Sequence, residues 1–130
     1  MTAKHILVVD DNPLSRKLLN HILSADGYSV HNAASGQKAL SAIAKEQPDL
    51  ILLDIMMPDM DGFEVVRRLK ADAATRSTPV AMVSALDDDG ARERLAAAGV
   101  NIMLNKPIDR WELHSLLLRL FSQSTENSYD

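Results

Sequence analysis

The 130-residue chain has no cysteine, so it can form no disulfide, thiolate metal site or thiol nucleophile. It also lacks an excess of positive charge. Fourteen Lys and Arg against eighteen Asp and Glu leave a net charge of −4, which argues against a nucleic-acid-binding surface. No apolar run approaches the length of a membrane span. The opening Met1-Thr2-Ala3-Lys4-His5 passes almost at once into a four-residue apolar run, so no secretory signal is visible. Internal repeats and low-complexity segments are absent as well. Hydrophobic residues at 46% and charged residues at 25% are ordinary for a globular chain of one domain. The expectation is a single-domain cytoplasmic protein.

What is present is a regular alternation of short apolar runs and amphipathic stretches. Ile6-Leu7-Val8-Val9 reads as a buried strand running into Asp10-Asp11. Asn12-Pro13 then starts a helix, with Asn12 as N-cap and Pro13 in the first position. Leu14, Leu18, Ile22 and Ala25 recur at helical spacing, and Gly27 suits a left-handed stop. Tyr28 to Ala33 is a weaker strand whose polar residues suit a sheet edge. Ser35 caps a second helix with Ala39, Leu40 and Ile43 on its apolar face.

Leu50-Ile51-Leu52-Leu53 is a buried strand that ends on Asp54, and a Met-Met-Pro turn follows. A third helix from about Asp61 to Ala71 is expected to bury Phe63, Val66 and Leu69. Asp59 and Asp61 shape the turn and cap that helix, and Gly62 allows close backbone packing. Val80 to Val83 forms a fourth strand ending on Ser84; Asp87-Asp88-Asp89 is a solvated start to a fourth helix with Ala91, Leu95 and Ala98 inward, closed by Gly99. Ile102-Met103-Leu104 is a fifth strand, followed by Asn105-Lys106-Pro107. Asp109 caps a last helix with Leu113, Leu116, Leu117 and Leu120 on its apolar side. From Ser122 the sequence is polar and without period, so a domain over 1–121 is expected, with 122–130 a tail or the start of a linker.

Five strands alternating with five helices predict an α/β fold: a doubly wound, flavodoxin-like sheet of five parallel strands in the order 2-1-3-4-5. A dinucleotide-binding variant would need Gly-x-Gly-x-x-Gly after the first strand; Asp-Asp-Asn-Pro stands there instead. In the predicted order strands 1, 3, 4 and 5 are consecutive, with neighbours about 4.8 Å apart. Asp10, Asp11, Asp54, Ser84 and Lys106 then meet at one sheet edge. Three carboxylates held together repel one another, and a hard divalent cation such as Mg²⁺ relieves that repulsion. Lys106 can pair with Asp54 or with a phosphoryl oxygen, and Ser84 can donate to such an oxygen. A carboxylate nucleophile with these neighbours suits phosphoryl transfer. Taken singly, Asp10 and Asp11 read as turn formers, Ser84 as a strand-end hydroxyl and Lys106 as a surface lysine. Their joint placement favours chemistry.

The paired acids Asp10-Asp11, the Asp54-x-x-Met-Pro-x-Met-Asp-Gly run, Ser84-Ala85 and Lys106-Pro107 resemble the two-component response-regulator receiver domain, over roughly residues 4 to 121. The resemblance implies that Asp54 is the phosphoacceptor, taking its phosphoryl group from a sensor histidine kinase, a histidine phosphotransfer protein or a small acyl phosphate. It implies Mg²⁺ held by Asp11 directly and Asp10 through water, with Asp54 and the Met56 backbone carbonyl as further ligands. It makes Lys106 the bridge to the phosphoryl group, with a cis bond to Pro107, and Ser84 the residue that swings toward it. The helix 4–strand 5–helix 5 face would then control an output domain or partner protein. The implied protein is a switch that catalyses only its own phosphorylation and dephosphorylation.

Two rivals are weighed against it. A haloacid-dehalogenase-type phosphatase needs a second Asp two residues past the nucleophile, and Met56 stands there. A phosphorylation-independent interaction module would have no need of the complete acidic set. Met103 occupies the position, three residues before Lys-Pro, where receivers often carry an aromatic switch residue. Gly99-Val100-Asn101-Ile102 lacks the Asp pair of receivers that dimerise ahead of winged-helix domains, so any phosphorylation-dependent dimer would not use that salt-bridge set. Met56 and Leu86 are apolar at positions flanking a hydrolytic water, which predicts slow to moderate loss of the phosphoryl group. Trp111 is expected to cover helix packing; exposed instead, it would anchor a partner. His5, His21, His31 and His114 share no ligand spacing and are read as non-catalytic; the six methionines are read as core filling.

Overall fold

The computed structural model describes residues 3–84, 89–100 and 102–127, apart from the side chains of 89, 91 and 122–127. The elements run β1 (His5–Val9), α1 (Pro13–Ala25), β2 (Ser29–Ala33), α2 (Gly36–Lys45), β3 (Leu50–Asp54), α3 (Gly62–Ala71), β4 (Val80–Ser84), α4 (Asp89–Ala97), β5 (Ile102–Asn105) and α5 (Arg110–Asn127). The strands form one parallel sheet in the order β2-β1-β3-β4-β5, the flavodoxin-like arrangement expected. Buried on both faces, β3 and β4 are apolar almost throughout, whereas edge strand β2 keeps polar residues.

Successive side chains of a strand point to opposite faces, and each face has its own core. Leu7, Val9, Ile51, Leu53 and Met82 pack against α2, α3 and α4 through Ala39, Ile43, Val65, Val66, Leu69 and Leu95. Ile6, Val8, Leu50, Leu52, Ala81, Val83 and Leu104 pack against α1 and α5 through Leu19, Ile22, Leu23, Leu113, Leu116 and Leu117. At about 25 cal/mol per Å² of apolar area, these two layers dominate the stability.

The helix ends follow the expected chemistry. Asn12 Oδ1 accepts from the Leu14 and Ser15 N–H groups at 2.9 and 3.3 Å. Ser35 Oγ accepts from Lys38, Asp61 from Glu64, and Asp109 from Trp111 and Glu112. Gly27 and Gly99, with φ of 92° and 88°, take the left-handed conformation after α1 and α4.

Three expectations need correction. In α1 the buried line is Leu19, Ile22 and Leu23; Leu14 and Leu18 are exposed, because the i, i+3, i+4 set turned to the sheet is offset from the i, i+4 row they belong to. Phe63 is only partly buried and lies beneath the Arg94 guanidinium, 3.8 Å from its ring centre. Trp111 covers no packing and is 73% exposed. Separately from these, the α5 backbone runs to Asn127, with no Gly or Pro to interrupt it. Leu86, Asp87 and Asp88 lie outside the described residues.

Candidate functional site

The parallel register sets the site. Val9 pairs with Leu53, so Asp10 and Asp54 emerge side by side as β1 and β3 end. Asp54 pairs with Val83 and Ser84 with Asn105, which brings Ser84 and then Lys106 to the same edge. The Lys106 N–H donates to the Ser84 carbonyl at 2.8 Å, and the Lys106-Pro107 bond is cis. Asp10, Asp54 and Ser84 are buried, at 2%, 6% and 1% exposure. Asp11 is exposed.

Lys106 Nζ donates to Asp10 Oδ2 at 3.1 Å and stands 3.4 Å from Asp54 Oδ2. Asp10 also accepts from the Asn12 N–H at 2.9 Å, and Arg16 donates to the Asp10 carbonyl at 2.7 Å. Neither contact was singled out in the sequence; a short Asn12-to-Asp10 turn is common, and a spacing of six residues leaves no recognisable pattern. Asp54 Oδ1 accepts from the Met56 N–H at 3.3 Å. Met56 thus lies at the site, with its side chain turned outward and 62% exposed.

The electrostatics are those of a charge-crowded pocket. Burial pushes the Asp54 carboxyl above its ordinary value; Lys106 pulls it back, and Asp10 adds to the rise. Burial works against the charge on Lys106 too, but the hydrogen bond it donates to Asp10 and the fields of Asp54 and Asp10 more than offset it and raise its pKa. One ammonium serves two buried carboxylates, with a third carboxylate adjacent. Oxygens of Asp10, Asp11 and Asp54 lie within 4.8 Å of one another, the one such metal-capable group among the described residues. An all-oxygen set fits a hard divalent ion, with Asp11 open to water on the outer side.

The loop between Asp54 and α3 is built closely. The Gly62 N–H donates to the Ile55 carbonyl at 2.8 Å, and a Cβ at Gly62 would stand 2.8 Å from the Asp54 carbonyl oxygen and 2.7 Å from Met82 Cε. This is the close packing expected of Gly62. Asp61 caps α3 as expected, but Asp59 turns the other way. It accepts from the Gly36 and Gln37 N–H groups at 3.3 and 3.2 Å, fastening the loop to the start of α2.

The family profile described as response regulator receiver domain matches residues 6–118. The chain belongs to this family. Among relatives, Response regulator PleD of Caulobacter vibrioides is 48% identical over 109 residues, covering 84% of this chain and 24% of its own length. The chain therefore spans about a quarter of that relative. Polar-differentiation response regulator DivK of Brucella ovis is 38% identical over 106 residues, covering 82% of this chain and 86% of its own. The receiver domain of sensor histidine kinase PA1611 from Pseudomonas aeruginosa, solved with a magnesium ion coordinated in its active-site cleft, superposes with a TM-score of 0.85. It is 32% identical, covering 93% of this chain and 99% of that one. No histidine belongs to the metal-capable cluster found among the described residues of this receiver. His5 and His31 stack edge to face, and His114 stands 3.5 Å from Asp26. No helix among the described residues is long and apolar enough to cross a membrane.

Proposed function

We propose that this receiver is a phosphorylation-controlled cytoplasmic switch in which Asp54 takes a phosphoryl group from a phosphohistidine of a sensor kinase or phosphotransfer protein, or from a small acyl phosphate. The observation that carries the reading is the position of Asp54. It is buried at the end of β3, beside Asp10 and Asp11 and 3.4 Å from the one ammonium that serves the pocket. An Asp54 carboxylate oxygen attacks phosphorus as the bond to the donor nitrogen breaks, and the departing imidazole keeps the bond electrons and takes a proton from solvent. Lys106, already charged, moves its donors from Asp10 and Asp54 toward the new phosphoryl oxygens. Ser84 offers a hydroxyl from the neighbouring strand end. Asp10, Asp11, Asp54 and the Met56 carbonyl are the residues that would hold Mg²⁺. Bound there, Mg²⁺ neutralises carboxylate and phosphoryl charge. The coordinated magnesium of the similar PA1611 receiver supports this assignment.

The approach to Asp54 also suits a protein donor. Leu14, Leu18 and Met56 are 76%, 54% and 62% exposed, and a hollow of about 340 Å³ beside the site is lined by Asp10, Leu18, Lys106, Pro107 and Ile108. A charged entrance rimmed by exposed apolar side chains matches a docked donor that delivers an anion. The response leaves through the α4–β5–α5 face toward an output domain or partner protein. There Met103 is partly buried against the core and takes the place of an aromatic switch by repacking its flexible side chain.

The test is intact mass after incubation with Mg²⁺ and acetyl phosphate. Wild type should gain one phosphoryl group and Asp54→Asn none; an unmodified wild type, or an equal adduct on the variant, overturns the reading.

A further inference from the structure

The acidic site gathers at the C-terminal ends of the strands, and one polar cluster at the opposite end is left without a role. His5 opens β1, five residues before Asp10 and roughly 16 Å from it along the strand. Its side chain is only 13% exposed, and both ring nitrogens are buried with no hydrogen-bond partner among the described residues. Buried polar atoms left unsatisfied are costly and rare, so this pair requires an explanation. The backbone beneath the ring is well fastened. The His5 N–H donates to Asp49 Oδ2 and the His5 carbonyl accepts from the Asp49 N–H, each at 2.7 Å. The ring borders a hollow of about 230 Å³ that is also lined by His31, Lys45 and Glu46.

The groups around this hollow are those a transition-metal ion takes. Glu46 Oε1 stands 3.6 Å from His5 Nδ1, too far for a hydrogen bond. Two donors each about 2.1 Å from one tetrahedral ion lie roughly 3.4 Å apart, close to that separation. The His31 ring packs edge to face on His5, with centroids 4.3 Å apart, and supplies a second imidazole. The three donors are not yet gathered around one point as the acids Asp10, Asp11 and Asp54 are. Side-chain rotation is enough to gather them. His31 is exposed on edge strand β2 and Glu46 is 68% exposed at the end of α2, so both can turn toward the buried His5. The surrounding charges favour a cation. Asp49 and the carbonyl end of α2 attract it, and Lys45 is exposed, with a long stem that lets its ammonium stay in water. Two imidazoles and a carboxylate suit Zn²⁺ and similar borderline ions, whereas Mg²⁺ takes oxygen ligands.

We propose that His5, His31 and Glu46 form a second metal site, for Zn²⁺ or a similar divalent transition ion, that ties β1, β2 and the end of α2 together, with water as the fourth ligand. Titration of the untagged full chain with Zn²⁺ in about 10 mM Mg²⁺, followed by imidazole ¹⁵N NMR, tests it. The ring signals of His5 and His31 should shift together and saturate at one equivalent, while those of His21 and His114 stay in place. The dissociation constant should lie below about 100 μM. His31→Gln and Glu46→Gln change exposed side chains, so both chains should fold. Each should weaken Zn²⁺ binding about tenfold or more, since even losing a group that only orients a ligand costs that much. Thermal unfolding should move upward with Zn²⁺ in the wild type and much less in His31→Gln. Asp11→Asn, which alters only the acidic site, should leave the His5 and His31 shifts unchanged. Absence of saturable binding up to about 1 mM overturns the proposal. So do equal shifts at all four histidines, an affinity indifferent to His31→Gln and Glu46→Gln, or shifts lost in Asp11→Asn.

Discussion

Asp54 and Asp59 are the same residue five positions apart in one loop region, and their surroundings treat them in opposite ways. Asp54 is enclosed at a strand end, facing the Lys106 ammonium at 3.4 Å with Asp10 beside it, and burial raises its pKa. Asp59 lies out on the loop. What burial it has works against its charge, but the N–H groups of Gln37 and Gly36 outweigh that and its pKa is lowered. The difference lies in the partners. A carboxylate whose oxygens go to backbone donors at a helix start is satisfied and acts as scaffold. One crowded with other ionised side chains is unsatisfied until a cation or a reaction changes the charge. Asp61 and Asp109 fall on the first side of that line, and Asp10 straddles it, accepting from the Asn12 N–H and from Lys106.

The largest effect that could break this contrast is loss of the adduct. Asp54→Asn should abolish phosphoryl incorporation, while Asp59→Asn should keep the initial rate within about threefold, because the amide still accepts from α2. Comparable losses in both variants would erase the distinction. Next, Lys106→Met should slow incorporation by about 10² to 10³, the usual cost of removing one charge-stabilising donor, as read from acetyl phosphate time courses. Gly62→Ala should destabilise the fold by about 1–3 kcal/mol in urea titration, since the added methyl meets the Asp54 carbonyl oxygen and Met82. Asp59→Ala should cost about 1 kcal/mol at neutral pH. Its pKa is depressed in the fold, so its contribution is present above the ordinary carboxylate range and is lost as pH falls through the folded value. The gap between wild type and variant should therefore close in acid.

The smallest effect has the opposite sign. The Asp54 pKa is raised in the fold, so its contribution is greatest below the ordinary carboxylate value and is lost as pH rises through the folded one. At neutral pH without divalent ions, Asp54→Asn should stabilise the protein by up to about 1 kcal/mol. A destabilised variant would mean that the pairing with Lys106 outweighs desolvation.

The order of the sheet and the meeting of Asp10, Asp11, Asp54, Ser84 and Lys106 were legible because both follow from local signals. Apolar runs mark buried strands, and the residue that ends each run falls on one edge once the strands are parallel. Caps were legible for the same reason, as Asn12, Ser35 and Asp109 act within three residues of themselves. What depended on distant contacts was not. The donors to Asp59 lie 22 and 23 residues away, and nothing near Asp59 indicates α2. Leu14 and Leu18 obey the helical period yet stay in water, because which stripe of α1 meets the sheet is settled by packing. Trp111 reads as a packing residue in the sequence because tryptophan usually covers something. In this fold Leu113, Leu116 and Leu117 already fill the ground beneath α5.

The way the loop is fastened gives the site a direction. Asp59 ties it to α2, Asp61 to the start of α3, and Gly62 leaves no room for even a methyl beneath Asp54. On the β1 side Asp10 is held by Asn12 through its side chain and by Arg16 through its carbonyl. The pocket is like a vice with two jaws bolted to the bench. On the proposed phosphorylation of Asp54, those walls would have no slack, and the adjustment would fall to Ser84 and Lys106 on the strand ends opposite. The proposed signal would then travel one way across the sheet, from β3 toward β4 and β5.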